Sequence, residues 1–195
     1  MTTGDTRATA VLRVEHRLIL KVLGVLERIL DASFSGAAPA PPEAETVSDC
    51  IHFFRLFTDA CHHGQEEGVL FEELVERGMS RTSGPIGVML TEHEQGRAHV
   101  RAMTAALERA TQGESEAWAV LEQAGRDYIS LLRRHIMKED GVLFEMADRM
   151  ITGPACAEVC DRYHMACLEK LEGRTKQELE QLAESLLERY PPISE

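Results

Sequence analysis

Two short segments of the chain place histidine and glutamate at the same spacing, followed by the same apolar residues. Residues 62–72 and 135–145 share His, Glu, Gly, Val, Leu, Phe and Glu at seven matching positions. Each segment contains His-x3-Glu, as His62/Glu66 and His135/Glu139. On an α-helix, four residues advance the chain by about 400°, so both side chains of a pair lie on one face, roughly 40° apart. Two such helices, packed face to face, can hold a metal ion between them.

Two further histidines, His16 and His93, lie in apolar stripes of other predicted helices. Apolar residues at helical spacing predict four long helices, at residues 5–31, 46–78, 84–113 and 115–150. A single buried histidine is more often a hydrogen-bonded core residue than a metal ligand. Four of them, one in each helix and joined by two carboxylates, predict a metal site, because burying uncompensated carboxylates costs on the order of several kcal/mol each.

The types of donor indicate which metals the site would bind. Four imidazoles and two carboxylates exceed the four ligands of a tetrahedral zinc site and suit two metal ions bridged by both glutamates. Because no cysteine belongs to the set, iron–sulfur clusters and thiolate zinc are disfavoured. Iron is the expected metal, with manganese or zinc as substitutes. The Glu-x-x-His motif of ferritin-like di-iron proteins does not occur in the chain.

Proline and glycine mark the breaks between the predicted helices. Residues 33–45 include Gly36 and Pro39, and this stretch is predicted to be a linker. Gly153-Pro154 ends the fourth helix. Two shorter helices are predicted beyond it, at residues 155–171 and 176–190, and a Thr175/Glu178 capping box begins the second.

These elements predict an all-α protein. Residues 1–152 would form a four-helix bundle, and residues 153–195 a helical C-terminal extension packed on the same domain. A length of 195 residues fits one domain with a substantial core.

Composition excludes several classes of function. A net charge of −12 argues against binding to nucleic acid and to anionic membranes, both of which attract basic surfaces. No secretory signal and no apolar run of membrane-spanning length is recognisable, so a cytoplasmic location is expected. The five cysteines are therefore expected to be free thiols. Cys156, Cys160 and His164 share a stripe that suits core packing, with a redox thiol or an auxiliary metal site as alternatives.

Several residues near the predicted ligands have more than one reading. His63 is a residue beside the site, an extra ligand or a solvent-exposed histidine. Tyr128 lies two turns before His135. It is interpreted as a core tyrosine or as a hydrogen-bond donor to the centre. His52 and His99 lie off the ligand faces and are expected to stay outside the site.

Over roughly residues 10–150 the chain resembles the hemerythrin-like, or HHE cation-binding, family. The resemblance rests on four motifs, which are Glu15-His16-Arg17, the segment from His62 to Glu67 with Leu70-Phe71, Glu92-His93-Glu94, and His135-x3-Glu139-Asp140 with Leu143-Phe144. It implies an up-down-up-down bundle around a non-haem di-iron centre with an oxo or hydroxo bridge. His16 and His62 would bind one iron, His93 and His135 the other, and Glu66 and Glu139 would bridge them.

The family comparison also bears on function. Oxygen-carrying hemerythrins place an additional histidine four residues after the one on the third helix, where this chain has Arg97. They also use an aspartate at the position of Asp140, which is thus an additional ligand or a neighbour of the site. With four histidines and two glutamates, the pattern is more similar to the repair-of-iron-centres proteins.

The resemblance implies a binding protein more than an enzyme. Its centre would react with or sense dioxygen, nitric oxide, peroxide or iron, in stress response or iron-centre repair. Reversible oxygen binding and iron storage or transport are the alternatives. The expected partner is a small diatomic ligand or peroxide, and a protein partner or a homodimer is compatible with the sequence.

Overall fold

The computed structural model describes residues 7–33, 41–168 and 171–191, and every regular element within them is a helix. The six helices are α1 (Ala10–Ser33), α2 (residues 41–76), α3 (Gly84–Thr111), α4 (residues 116–150), α5 (Pro154–Leu168) and α6 (Lys176–Arg189). The all-α prediction is therefore confirmed. None of the helices in these ranges is long and apolar enough to span a membrane.

Helices α1 to α4 form a closed four-helix bundle. Each packs against its neighbours in the chain, and α4 also packs against α1. The bundle contains two apolar clusters. The large cluster includes Ile19, Phe57, Val100 and Leu132, and the small cluster includes Leu12, Leu70, Met89 and Leu143.

On each helix, the predicted ligands lie between a residue of the large cluster and one of the small cluster. On α1, for example, His16 lies between Leu12 of the small cluster and Ile19 of the large one. The bundle therefore has three layers, with a polar layer enclosed by two apolar ones, so water is excluded from the polar layer on both sides.

Both long helices with the repeated motif widen at that motif into π-helical turns. Helix α2 is α-helical at Pro41–Phe53, π-helical at Phe54–His63 and Glu66–Leu70, and α-helical again at Phe71–Glu76. Helix α4 has the matching turn at Glu139–Leu143. The prediction of regular α-helix was wrong here. A π turn adds one residue to a helical turn and is frequent at functional sites, because it redirects side chains without ending the helix.

Helix α1, predicted to begin at residue 5, begins at Ala10. The ends of the other helices agree with the predictions except before α2. This helix begins at Pro41, within the predicted linker, because proline is tolerated in the first turn, where its missing N–H has no helical partner. Gly36 and Pro39 lie outside the described residues. The Thr175/Glu178 capping box is present at the start of α6.

The C-terminal helices complete the large apolar cluster. Leu179 and Leu186 of α6 are fully buried in it.

Cys61 of α2 and Cys167 of α5 form a disulfide, so the prediction of free thiols was wrong for this pair. The pair is 106 residues apart in sequence, and only the packing of α5 against α2 brings the two sulfurs together. Cys50, Cys156 and Cys160 are free. The division of the chain near residue 152 stays a prediction.

The start of α3 depends on a glycine. A Cβ atom at Gly87 would lie 2.8 Å from the carbonyl carbon and 2.9 Å from the carbonyl oxygen of Thr82, both backbone atoms that cannot rotate away. We expect Gly87→Ala to lower the free energy of unfolding by about 1–3 kcal/mol, as overpacking does. Gly24→Ala on α1 is the control, because its Cβ would meet no atom within 4 Å. The free energy of unfolding of that variant should rise by about 0.5–1 kcal/mol. Urea denaturation measures both, and equal stability of the two variants would contradict the prediction.

Candidate metal centre

Five imidazoles and two carboxylates meet in the polar layer of the bundle, and none of these residues is more than 3% exposed. They form two groups whose potential ligand atoms lie within 4.8 Å of one another. The members of the first group are His16, His62, Glu66 and Glu139, and those of the second are His63, Glu66, His93 and His135. The structure thus brings all six predicted ligands together and adds His63.

The carboxylate of Glu66 spans the two groups. Its Oε1 lies 3.4 Å from Nε2 of His62 and 3.9 Å from Nε2 of His16, whereas its Oε2 lies 3.5 Å from Nε2 of His93. Glu139 also faces both groups, because its Oε2 lies 3.3 Å from Nε2 of His16 and 3.1 Å from Nε2 of His135. Both glutamates therefore stand where a carboxylate could bridge two metal ions.

The inward-facing atoms include several without a partner. Both carboxylate oxygens of Glu66 and of Glu139, and Nε2 of His16 and of His63, are buried with no hydrogen bond to any described residue. Buried charges of this kind are stable only when they are paired or bound to a metal. Imidazole and carboxylate donors suit iron, manganese and zinc, so the residues present fit the predicted metals.

The outward-facing nitrogen of every imidazole lies beside a carboxylate. The Nδ1–oxygen distances are 3.0 Å for His16–Asp140, 2.7 Å for His62–Glu15, 2.7 Å for His93–Glu67, 3.0 Å for His135–Glu92 and 3.4 Å for His63–Asp59. When Nδ1–H donates to these carboxylates, Nε2 is left free to bind a metal and the ring orientation is set.

Four of these hydrogen bonds form a ring around the bundle. Each helix supplies one carboxylate to the imidazole of the next helix, from α1 to α2, α2 to α3, α3 to α4 and α4 back to α1. Each of the four carboxylates is adjacent in sequence to a predicted ligand but bonds an imidazole on another helix. All four lie in the motifs identified from the sequence, but only Asp140 was assigned a place at the site. The adjacent acidic residues were the available signal, and the crossing to the next helix could not be read from spacing.

His63 belongs to the site, and the solvent-exposed reading was wrong. Its ring stacks on that of His93, with centroids 3.9 Å apart. Arg97 bonds to Asp59, Glu67 and Glu94, so it supports carboxylates that orient His63 and His93. Compared with the oxygen carriers, the second group therefore has an imidazole from α2 in place of the additional imidazole from α3.

As a result, the two groups have unequal sets of donors. Three imidazoles belong to the group with His93, and two belong to the group with His16. If Glu66 and Glu139 bridge two metal ions, the ion between His16 and His62 has one imidazole donor fewer than the other.

Tyr128 lies outside both groups. It is 2% exposed, and its ring packs against Phe54 with centroids 4.9 Å apart. Together with Arg97 it lines a groove of about 400 Å³ that reaches His63 from the surface. His52 and His99 also lie outside both groups.

Without metal, the layer retains protons. Burial and then the charge of Glu139 raise the pKa of Glu66 well above its usual range. Burial disfavours the charged form of His135, but the carboxylates of Glu139 and Glu92 outweigh it and raise the pKa of His135 to about 9. Burial likewise disfavours the charged form of Glu139, yet the imidazoles of His135 and His16 hold its pKa well below the usual range.

Comparison with known proteins agrees with this geometry. A family model described as "Hemerythrin HHE cation binding domain" matches residues 7–147, more than half of the chain. The matched range includes both groups of potential ligands, whereas α5 and α6 lie beyond it. No curated protein and no solved structure matches the chain.

Replacing Glu66 tests its position between the groups. We expect about two metal ions per chain in the wild type and fewer than one in Glu66→Gln, because the substitution removes a negative charge that both ions share. Metal analysis of the purified proteins measures this. His99→Ala, outside both groups, should retain about two ions. Unchanged metal content in Glu66→Gln would rule out the bridging role. The metal-free variant should melt no lower than the metal-free wild type, because the raised pKa of Glu66 favours its neutral form there and glutamine is neutral as well.

Metal binding should release protons. At pH 7 the metal must displace a proton from His135, whose pKa is raised to about 9 in the metal-free protein. Glu66, whose pKa burial and the charge of Glu139 raise well above its usual range, adds to this release. Apparent affinity should therefore rise with pH and level off above about 9. Calorimetric titration in two buffers of different ionisation enthalpy counts the released protons. Equal heats in both buffers would contradict the prediction.

Proposed function

The chain belongs to the hemerythrin HHE cation-binding family, and from that membership we propose that its polar layer holds two iron ions. His16 and His62 would hold one ion, and His63, His93 and His135 the other. Glu66 and Glu139 would bridge them, which compensates the two buried carboxylates. Bound iron would supply a position for a small ligand and electrons to reduce it.

The proposed activity is reaction with, or sensing of, dioxygen, nitric oxide or peroxide. The observation that supports it is the carboxylate beside Nδ1 of all five imidazoles. A carboxylate that accepts a hydrogen bond from Nδ1–H makes the imidazole a stronger electron donor, and stronger donors stabilise the oxidised metal. The five carboxylates would therefore favour oxidation of a bound metal over release of its ligand unchanged. A role in oxidative-stress response or in repair of iron centres would use such a reaction.

Reversible oxygen binding is the second candidate, and His63 favours it. Arg97 occupies the position of the additional histidine of oxygen carriers, but His63 supplies a fifth imidazole from α2. The total of five imidazoles and two carboxylates thus approaches that of a carrier, although one imidazole comes from a different helix. The two candidates differ in whether dioxygen leaves the protein unchanged.

Stopped-flow absorbance of the reduced, iron-loaded protein separates the two candidates. We expect dioxygen or peroxide to oxidise the centre irreversibly and nitric oxide to form a stable adduct. Purging with argon should not restore the reduced spectrum. A long-lived oxygenated spectrum that disappears on purging and returns on re-exposure would show a carrier and refute the proposed reaction.

A matched pair of variants tests the role of the carboxylates. Glu92→Gln weakens the acceptor at His135 and should slow oxidation about tenfold, within the range known for groups that orient metal ligands. Glu114→Gln is the control, because this exposed carboxylate bonds Arg109 far from the polar layer. Equal oxidation rates in Glu92→Gln and Glu114→Gln would contradict the proposal that the carboxylates make the centre reactive.

A further inference from the structure

A buried hydroxyl on α5 has no hydrogen-bond partner. Tyr163 is 2% exposed, and its Oη is buried with no partner among the residues that the structure describes. Leaving such a group unsatisfied is destabilising, so an unpaired buried hydroxyl indicates a missing partner. Residue 163 lies beyond the range that matches the family, so the family resemblance assigns it no role.

The packing of α5 places Tyr163 next to the polar layer. Helix α5 contacts the π-helical turns of α2, including the turn that begins at Glu66. Tyr163 belongs to the small apolar cluster together with Leu12 and Phe144. Leu12 lies one turn before His16, and the ring of Phe144 stacks on that of His16 with centroids 5.1 Å apart. The same cluster also covers His93, but Glu15, which accepts from His62, is close enough to raise the pKa of Tyr163, so Tyr163 lies toward the His16 and His62 side of the layer.

The electrostatic environment of the phenol agrees with this location. Burial raises the pKa of Tyr163 well above its usual range, and the nearby carboxylate of Glu66 raises it further. The hydroxyl therefore stays protonated and can donate a hydrogen bond. Glu66 itself makes no hydrogen bond with it, which leaves the donor available to another group.

Two independent observations concern the His16 and His62 side of the polar layer. The position between His16 and His62 has fewer imidazoles than the other, and the unpartnered donor lies on the same side of the layer. We propose that Tyr163 donates a hydrogen bond to a small inorganic anion, of the class of hydroxide, peroxide or azide, bound at the open position beside His16 and His62. This inference rests on the proposed two-iron centre and gives the C-terminal helices a part in its ligand site.

Azide is the probe for the test, used with the oxidised, iron-loaded full-length protein. Tyr163→Phe removes only the hydroxyl. We expect about tenfold to hundredfold weaker azide binding by absorbance titration, as for a lost hydrogen bond to a charged group. The infrared stretching band of bound azide should also shift, which a purely structural role would not cause. Tyr190→Phe, the same change at the end of α6, should bind azide like the wild type.

Metal content and stability complete the test. Tyr163→Phe should retain the iron content of the wild type. Its metal-free form should melt at the same or a higher temperature, because no protein hydrogen bond is lost.

Unchanged azide affinity and band position in Tyr163→Phe would overturn the inference and indicate that a water molecule satisfies the hydroxyl. Loss of iron from this variant would also overturn it, because the hydroxyl would then be a metal ligand. A wild-type protein that binds no iron pair would refute the proposed function together with the inference, and the metal analysis identifies that case.

Discussion

Two glutamates without hydrogen bonds lie at the centre of the helix bundle, and the rest of the structure depends on compensating their charge. Glu66 and Glu139 are completely buried between two apolar clusters, where water cannot solvate them. Five imidazoles face them, and bound cations would complete the compensation. This requirement explains why each of the four long helices has a histidine in its apolar stripe.

The ring of carboxylate–imidazole hydrogen bonds links this centre to the packing of the helices. A helix that rotates or slides moves its own imidazole and also the carboxylate that orients the imidazole on the next helix. The ring therefore couples the four helices around the centre. At His62 it extends further, because Lys176 of α6 pairs with Glu15, the carboxylate that accepts from His62. This contact joins α6 to α1, and the Cys61–Cys167 disulfide joins α5 to α2, the helix that contains His62 and Glu66.

Spacing within a helix was sufficient to predict the four long helices and six of the seven residues at the centre. His16 and Glu139, for example, could be assigned because apolar periodicity shows which face of a helix is buried. His63 could not, because on a regular α-helix it lies about 100° from His62, at the border of the predicted ligand face. In the structure α2 is π-helical there, and both imidazoles are buried. Contacts between helices could not be predicted from the sequence either. The pairing of Glu92 with His135, the Cys61–Cys167 disulfide and the location of Tyr163 all depend on how distant segments pack.

The ring also reveals an internal two-fold symmetry. If α3 and α4 are exchanged for α1 and α2, each member of the ring takes the place of an equivalent residue, as Glu92 does for Glu15. The symmetry fails next to the repeated motif, where His63 in one half corresponds to Ile136 in the other. Ile136 is buried at 3% exposure and supplies no donor atom. The difference between the two groups of potential ligands therefore comes from one pair of residues, in a pattern that duplication of a helical hairpin would produce.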